Sequence, residues 1–309
     1  MSPCGSFQRN QGTLWRLPDR QVPHRVLLCN TIMRIRTAAT LLALVLSFAG
    51  ISHAAPPGYS AATSVESVAA VMREVGAGFW QVRAMTPAGQ DPHLFTLRPE
   101  EAAAFHAAKI YLAVGMEADP VLIARAPKGM TIVRVLPDLE AEDPHLWLDP
   151  EGLAAIACAS RDAFAGADPA HSAEYAAACA SFLDRLAGAA EKARGLLAPY
   201  AGRSFVVHHG AFTRYAAAFA LHQVALEVEE KEPSAAHLAE VTELVKREKI
   251  ACLYAQNAHN PAPVEIVAKA TGAQIRSLDS LPAEPVAAIA DRAEILSRGF
   301  AAEDAQNAK

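Results

Sequence analysis

From residue 65 onward the chain alternates short apolar runs with longer stretches whose apolar residues recur every three or four positions. The runs predict strands over 79–85, 110–114, 132–136, 205–208, 224–228, 250–254 and 274–278. Helical spacing predicts helices over 65–75, from Pro99 onward, and over 151–164, 216–220, 234–248 and 263–271. Val65, Val68, Ala69, Met72 and Val75 form one such stripe; Leu238, Val241 and Val245 form another. Short buried strands alternating with helices imply parallel sheets with helices packed over them.

The longest helical pattern begins at Asp168, an N-cap candidate followed by Pro169, and runs to Pro199. Tyr175, Cys179, Phe182, Leu186, Ala190, Ala193 and Leu197 keep one face apolar over about 45 Å, at a rise of about 1.5 Å per residue. One small lobe does not need a helix that long. The expected fold class is therefore α/β, with parallel-sheet lobes over residues 55–168 and 200–309 joined by a helix over 169–199.

The start of the chain differs in kind. Met33-Arg34-Ile35-Arg36 leads into an apolar run over 38–49 and then Ser52-His53-Ala54-Ala55. That order of basic, apolar and small-x-small segments is a secretory signal peptide, and the run is short for a bilayer span. Residues 1–54 are read as an upstream extension plus signal peptide, with Met33 as the initiator. The expected product is a soluble periplasmic monomer starting at Ala55. No Cys follows the apolar run, so neither a lipid anchor there nor membrane insertion after cleavage is expected.

Composition adds one bias. The 309 residues are 52% hydrophobic and 20% charged, an ordinary globular balance. Of 28 basic and 33 acidic residues, residues 1–54 hold six Arg and one Asp, so 22 and 32 remain, a formal charge of −10. An acidic surface argues against nucleic acid or anionic lipid as partner and suits a cation. Beyond residue 54 the cysteines are Cys158, Cys179 and Cys252, in no zinc-ribbon or CxxC spacing. Cys158 and Cys179 are nearly equidistant from the turn near Asp168, which predicts a disulfide between them across an antiparallel helix pair and leaves Cys252 reduced.

The candidate chemistry sits at strand ends. Asp91-Pro92-His93 and Asp143-Pro144-His145 repeat one triplet, each in an irregular segment after a strand. The pair His208-His209 ends another strand, and Asp279 ends the last. Ligands of open parallel sheets bind beyond the carboxyl ends of the strands, so these groups would face each other across the cleft between the lobes. Taken singly, His93 or His145 reads as a loop hydrogen-bonder and Asp279 as a cap or turn residue. Their joint placement carries the metal reading.

In this order and spacing the segments resemble the metal-binding proteins of zinc and manganese ABC importers, the ZnuA/TroA-type solute-binding proteins. The likeness rests on Asp91-Pro92-His93 before Pro99-Glu100, Gly115-Met116-Glu117, Asp143 to Pro150, Val206 to Phe212, Glu232-Pro233-Ser234 and Leu278-Asp279. It implies two Rossmann-like lobes rigidly joined by a long helix, one metal ion between them, and delivery of that ion to an inner-membrane ABC permease. Carried over residue by residue, the ligands are His93, His145, His209 and Asp279. Matching Ala211, Phe212 and Phe219-Ala220-Leu221 to the family pattern selects His209 over His208, which becomes the last buried residue of its strand. The chain also departs from the pattern. Residues 55–63 lack a Val/Ile-rich opening strand, Gln256 stands where a Glu is common, and no His-rich acidic loop precedes His145.

Three neutral imidazoles and a carboxylate suit the tetrahedral preference of zinc, whereas manganese favours more oxygen and is the less fitting cargo. Two other readings stand beside the importer subunit: a periplasmic zinc buffer without a permease, and a zinc-dependent hydrolase. The hydrolase fits less well, because no HExxH helix, Gly-x-Ser-x-Gly elbow or phosphate loop is present and Asp279 would close the coordination shell. Trp147 is expected beside His145. His106, His171, His222 and His237 are read as surface residues, and His259, in a loop near Gln256 from which it could approach the cleft, is not counted as a ligand.

Overall fold

The computed structural model describes residues 59–136, 143–227 and 232–308, so the signal peptide, Glu140 and Glu142 lie outside the described residues. In the first sheet β1 (Ser60–Thr63), β2 (Gln81–Ala84), β3 (Ile110–Ala113) and β4 (Thr131–Arg134) run parallel in the order β2-β1-β3-β4. Helices α1 (Glu66–Val75), α2 (Pro99–Ala107) and α3 (Ala118–Ala124) connect them. Then come α4 (Pro150–Ala167) and α5 (Ser172–Leu197). The second sheet repeats the topology, β6-β5-β7-β8, with β5 (Ser204–Val207), β6 (His222–Ala225), β7 (Cys252–Ala255) and β8 (Gln274–Ser277) all parallel. Its connections hold α6 (Thr213–Ala218), α7 (Ala235–Glu248) and α8 (Ala262–Thr271), and α9 (Pro285–Asn307) follows. This is the two-lobe α/β fold expected from the alternation of runs. Strand order reverses between β1 and β3 and again between β5 and β7, which puts a ligand crevice at each of those points.

Three expectations change. Residues 60–63 do form a strand, and it lies in the middle of its sheet. Ala61 and Ala62 are fully buried, so pairing on both edges and contact with α1 hold a strand whose own side chains carry little β preference. Asp168 does not cap the long helix. It ends α4, and its carboxylate accepts from the Tyr175 hydroxyl at 2.7 Å and from His171 Nδ1 at 2.7 Å, while a 3-10 turn over Pro169–His171 leads directly into the α-helix at Ser172. Its 26 residues span about 39 Å. The helix also does not act alone. α9 lies along it, burying Ile289, Ala293, Leu296 and Phe300, with Lys192 and Glu294 paired at 2.6 Å.

The disulfide is the third. Cys179 is a free, buried thiol, so the Cys158–Cys179 bridge does not form. Equal distance from the turn was not enough. Cys158, half-buried on α4, is itself disulfide-bonded, so its sulfur is not available to Cys179. Burial pushes the Cys179 thiol up, and the charges that reach it are those of Arg161 and Asp162.

One apolar core is continuous from Val68 and Leu112 in the first lobe, through Tyr175 and Leu197, to Phe205, Phe212 and Leu296. Polar bonds fasten the same seam. Ser67 Oγ donates to the Pro282 carbonyl (2.8 Å), Trp147 Nε1 to the Ser280 carbonyl (2.8 Å), and Arg292 to the carbonyls of Asp279 (3.1 Å) and Leu148 (3.4 Å). Burial lowers the Arg292 pKa to about 10. Among the described residues no helix is long and apolar enough to cross a membrane.

Candidate metal centre

The repeated triplet has a local cause. Asp91 Oδ1 accepts the His93 N–H at 2.9 Å, and Asp143 Oδ1 accepts the His145 N–H at 3.0 Å. Each is an Asp side chain closing a turn on the backbone two residues later, with Pro fixing the residue between. The turns aim two imidazoles from the ends of β2 and β4 into the cleft. The third, His209, stands two residues past β5. Gln256, just past β7, fixes it by accepting the His209 N–H (3.2 Å) and donating to its carbonyl (2.7 Å).

Each ring has a carboxylate behind it. Glu117 Oε1 is 3.0 Å from His93 Nδ1, Asp143 Oδ1 is 2.8 Å from His145 Nδ1, and Glu227 Oε2 is 2.7 Å from His209 Nδ1. An ionised carboxylate only accepts, so each ring holds its proton on Nδ1 and turns the Nε2 lone pair inward. The Nε2 atoms of His93 and His145 are 3.2 Å apart, and those of His145 and His209 are 3.1 Å apart. A tetrahedral ion about 2.0 Å from each nitrogen would set them about 3.3 Å apart. Both separations from His145 are close to what an ion would impose.

Electrostatics agree. Burial lowers the His145 pKa against the opposing pull of Asp143, which favours the neutral ring a metal needs. Burial raises Glu227, but hydrogen bonding to His209 and the adjacent imidazoles overcome it and hold its carboxyl well below the usual range. Asp143 and Glu117 are lowered in the same way, with burial opposing and His145 or His93 prevailing. The loop carrying Glu117 is built by Asp119. Its Oδ2 accepts the N–H groups of Val114, Gly115 and Met116 at 2.8 to 3.0 Å, and Gly115 takes a φ of 100° that only glycine adopts easily.

His93, His145 and His209 thus come together, all three donor atoms lying within 4.8 Å of one another. Asp279 is not in that group. It is exposed, and its Oδ1 accepts the Leu281 N–H at 2.8 Å, closing its own turn. His208 is not in that group: its Nε2 is 3.5 Å from Glu227 Oε1, the other oxygen of the carboxylate that holds His209. Trp147 is fully buried, edge-on to His145 at 5.2 Å. His106 and His222 are exposed, whereas His171 and His237 are half-buried and hydrogen-bonded. The sequence reading missed Glu117, Asp143 and Glu227 as partners of the rings, and treated Gln256 as a lost charge. Glu227 supplies that charge from the neighbouring strand. Its position two residues past β6, level with His209 past β5, was the available signal.

A cleft between two α/β lobes, lined by three convergent imidazoles, defines a two-lobed binding protein with a donor set suited to a transition-metal ion. The chain belongs to the family described as zinc-uptake complex component A, periplasmic, whose model matches residues 62–291. It is 25% identical over 300 residues to the high-affinity zinc uptake system protein ZnuA of Paracoccus denitrificans, covering 81% of this chain and 91% of that protein. Over 141 residues it is 31% identical to the zinc-binding lipoprotein AdcA of Streptococcus pneumoniae, covering 45% of this chain and 28% of the other. Among solved structures, a crystal structure of ZnuA superposes with a TM-score of 0.73 at 23% identity, over 78% of this chain and 99% of that one. The laminin-binding protein Lmb of Streptococcus agalactiae superposes with a TM-score of 0.71 at 25% identity, over 79% and 99%.

Proposed function

We propose that the protein is the periplasmic binding component of a zinc ABC importer, capturing the ion between its lobes and handing it to an inner-membrane permease. One observation carries this reading: three Nε2 atoms converge in the cleft, each backed by a carboxylate on Nδ1. Zinc relatives such as ZnuA and AdcA support the choice of cargo. The proposed donors are His93, His145 and His209. The role is carriage rather than catalysis, because Glu117, Asp143 and Glu227 are each committed to an imidazole and none stands free as a general base. The lobes are taken as residues 55–168 and 200–309, and N-terminal sequencing of periplasmic material should find Ala55 first.

The test is metal content of the purified protein, then competitive titration with zinc and manganese. Zinc should bind far more tightly, and its affinity should fall as pH drops below about 6.5, the ordinary imidazole value. Protons and zinc compete for the same lone pairs, so acid weakens binding. The loss should be complete only at lower pH, because His145 takes its proton below the ordinary value. Tight manganese binding indifferent to pH would overturn the assignment. Asp279→Ala should change zinc affinity by less than about 10-fold, since removing even a true outer partner of a ligand costs about 10- to 100-fold. A loss beyond 100-fold would return Asp279 to the donor set.

A further inference from the structure

A second group of donors lies beside the first. His208 Nε2 is 3.5 Å from Glu227 Oε1, His259 Nδ1 is 3.7 Å from the same oxygen, and the three atoms all lie within 4.8 Å of one another. The His208 side chain is 2% exposed, His259 7% and Glu227 14%, so the group is nearly closed off from water. His208 Nε2 makes no hydrogen bond among the described residues. Leaving a buried polar nitrogen unmatched costs about 1–3 kcal/mol, and native structures rarely do so without a reason.

We propose that His208, Glu227 and His259 form a second, weaker site for a divalent transition-metal ion, coupled to the first through a shared carboxylate. Two imidazoles and a carboxylate are donors that zinc accepts, and the two imidazole–carboxylate separations of 3.5 and 3.7 Å stand near the roughly 3.4 Å that tetrahedral ligation at about 2.1 Å sets, with the imidazole pair within 4.8 Å. An ion there gives His208 Nε2 the partner it lacks. Asp91 Oδ2, 3.7 Å from His259 Nδ1, is a further carboxylate oxygen at the rim.

The two sites interlock. Glu227 holds His209 Nδ1 with Oε2 and faces the second group with Oε1. Asp91 does the same, holding the His93 N–H with Oδ1 and turning Oδ2 to His259. The His209 and His259 rings stack with centroids 4.6 Å apart. Two dications this close repel each other, and an ion on Oε1 draws charge away from the oxygen that supports His209. The second ion therefore binds last and leaves first. In the cleft it serves as a waiting position next to the tight site.

The experiment counts zinc per chain on the periplasmic protein, by native mass spectrometry and by titration against a chromogenic chelator. Wild type should hold two ions, one tight and one weak. His259→Ala should hold one, with its tight constant changed by about 10-fold or less. His208→Gln should also hold one, and circular dichroism on both variants checks that they fold. His93→Ala should lose the tight ion and keep the weak one. A wild type that saturates at one zinc would overturn the proposal. So would a second zinc that survives both His208→Gln and His259→Ala, or loss of both ions from His93→Ala. A wild type that binds no zinc would instead refute the importer reading itself.

Discussion

His209→Ala is expected to weaken the tight zinc site by more than about 100-fold, beyond the range of losses seen for outer-shell partners of metal ligands. It removes one of three imidazole donors, the one whose Nε2 lies 3.1 Å from that of His145, and it leaves Glu227 without the ring it orients. The fold should persist. His209 lies beyond the end of β5, and the core beneath it is built by Phe205, Val207, Ala211 and Phe212. His208→Gln is the paired control. That side chain is not among the three convergent donors and meets only the far oxygen of Glu227, so the tight site should change by about 10-fold or less. Zinc titration of the two variants side by side decides the matter. If His208→Gln loses the tight ion while His209→Ala keeps it, the ligand assignment is shifted by one residue.

Gly152→Ala should have the largest effect on stability. A Cβ at this position would run into the Leu146 carbonyl oxygen and sit 2.8 Å from its carbonyl carbon and Cα. Those are backbone atoms and cannot swing aside as a side-chain tip can. Overpacking a core usually costs about 1–3 kcal/mol, and a clash with main chain belongs at or above the top of that range. The strain lands where function is concentrated. Leu146 follows His145, and Gly152 N–H is one of two groups that Asp149 accepts to cap α4. Asp149 in turn takes the Arg214 guanidinium from the second lobe at 2.7 Å. Thermal unfolding of the metal-free variant should show a midpoint several degrees lower. Its zinc affinity should fall as well, since the turn that aims His145 is displaced. A variant with unchanged stability would mean that the close approach of α4 to the 146 turn is not rigid.

The segment Asp143 to Pro150 shows how site and fold share residues. Asp143 and His145 serve the cleft; Trp147, Leu148 and Asp149 bond to the second lobe through Ser280, Arg292 and Arg214. Opening the lobes would break those bonds along with the continuous core. The fixed seam suits a binding protein that keeps its ligands preorganised.

How much of this could be read without the fold varies from residue to residue. The seven predicted strands and the long helix follow from local periodicity, because burying one face of each element imposes the pattern wherever the element packs. The imidazoles could be read because the Asp-Pro-His turns are local, two-residue hydrogen bonds, and because strand ends of a parallel sheet gather at one edge. β1 could not be read, since Ser-Ala-Ala-Thr has no strand preference of its own and becomes a strand through neighbours on both sides. Equal distance along the chain pairs Cys158 with Cys179, but Cys158 is disulfide-bonded without Cys179, which stays a free thiol in the core that Cys158 flanks. Two of the carboxylates behind the rings were hidden for a related reason. Glu117 is 24 residues from His93 and Glu227 is 18 from His209, and nothing local links either pair. Local hydrogen bonds and periodicity leave their mark in sequence. Contacts that depend on how one element is turned against another were decided only by the tertiary structure, which brought three imidazoles together and left Asp279 to close its own turn.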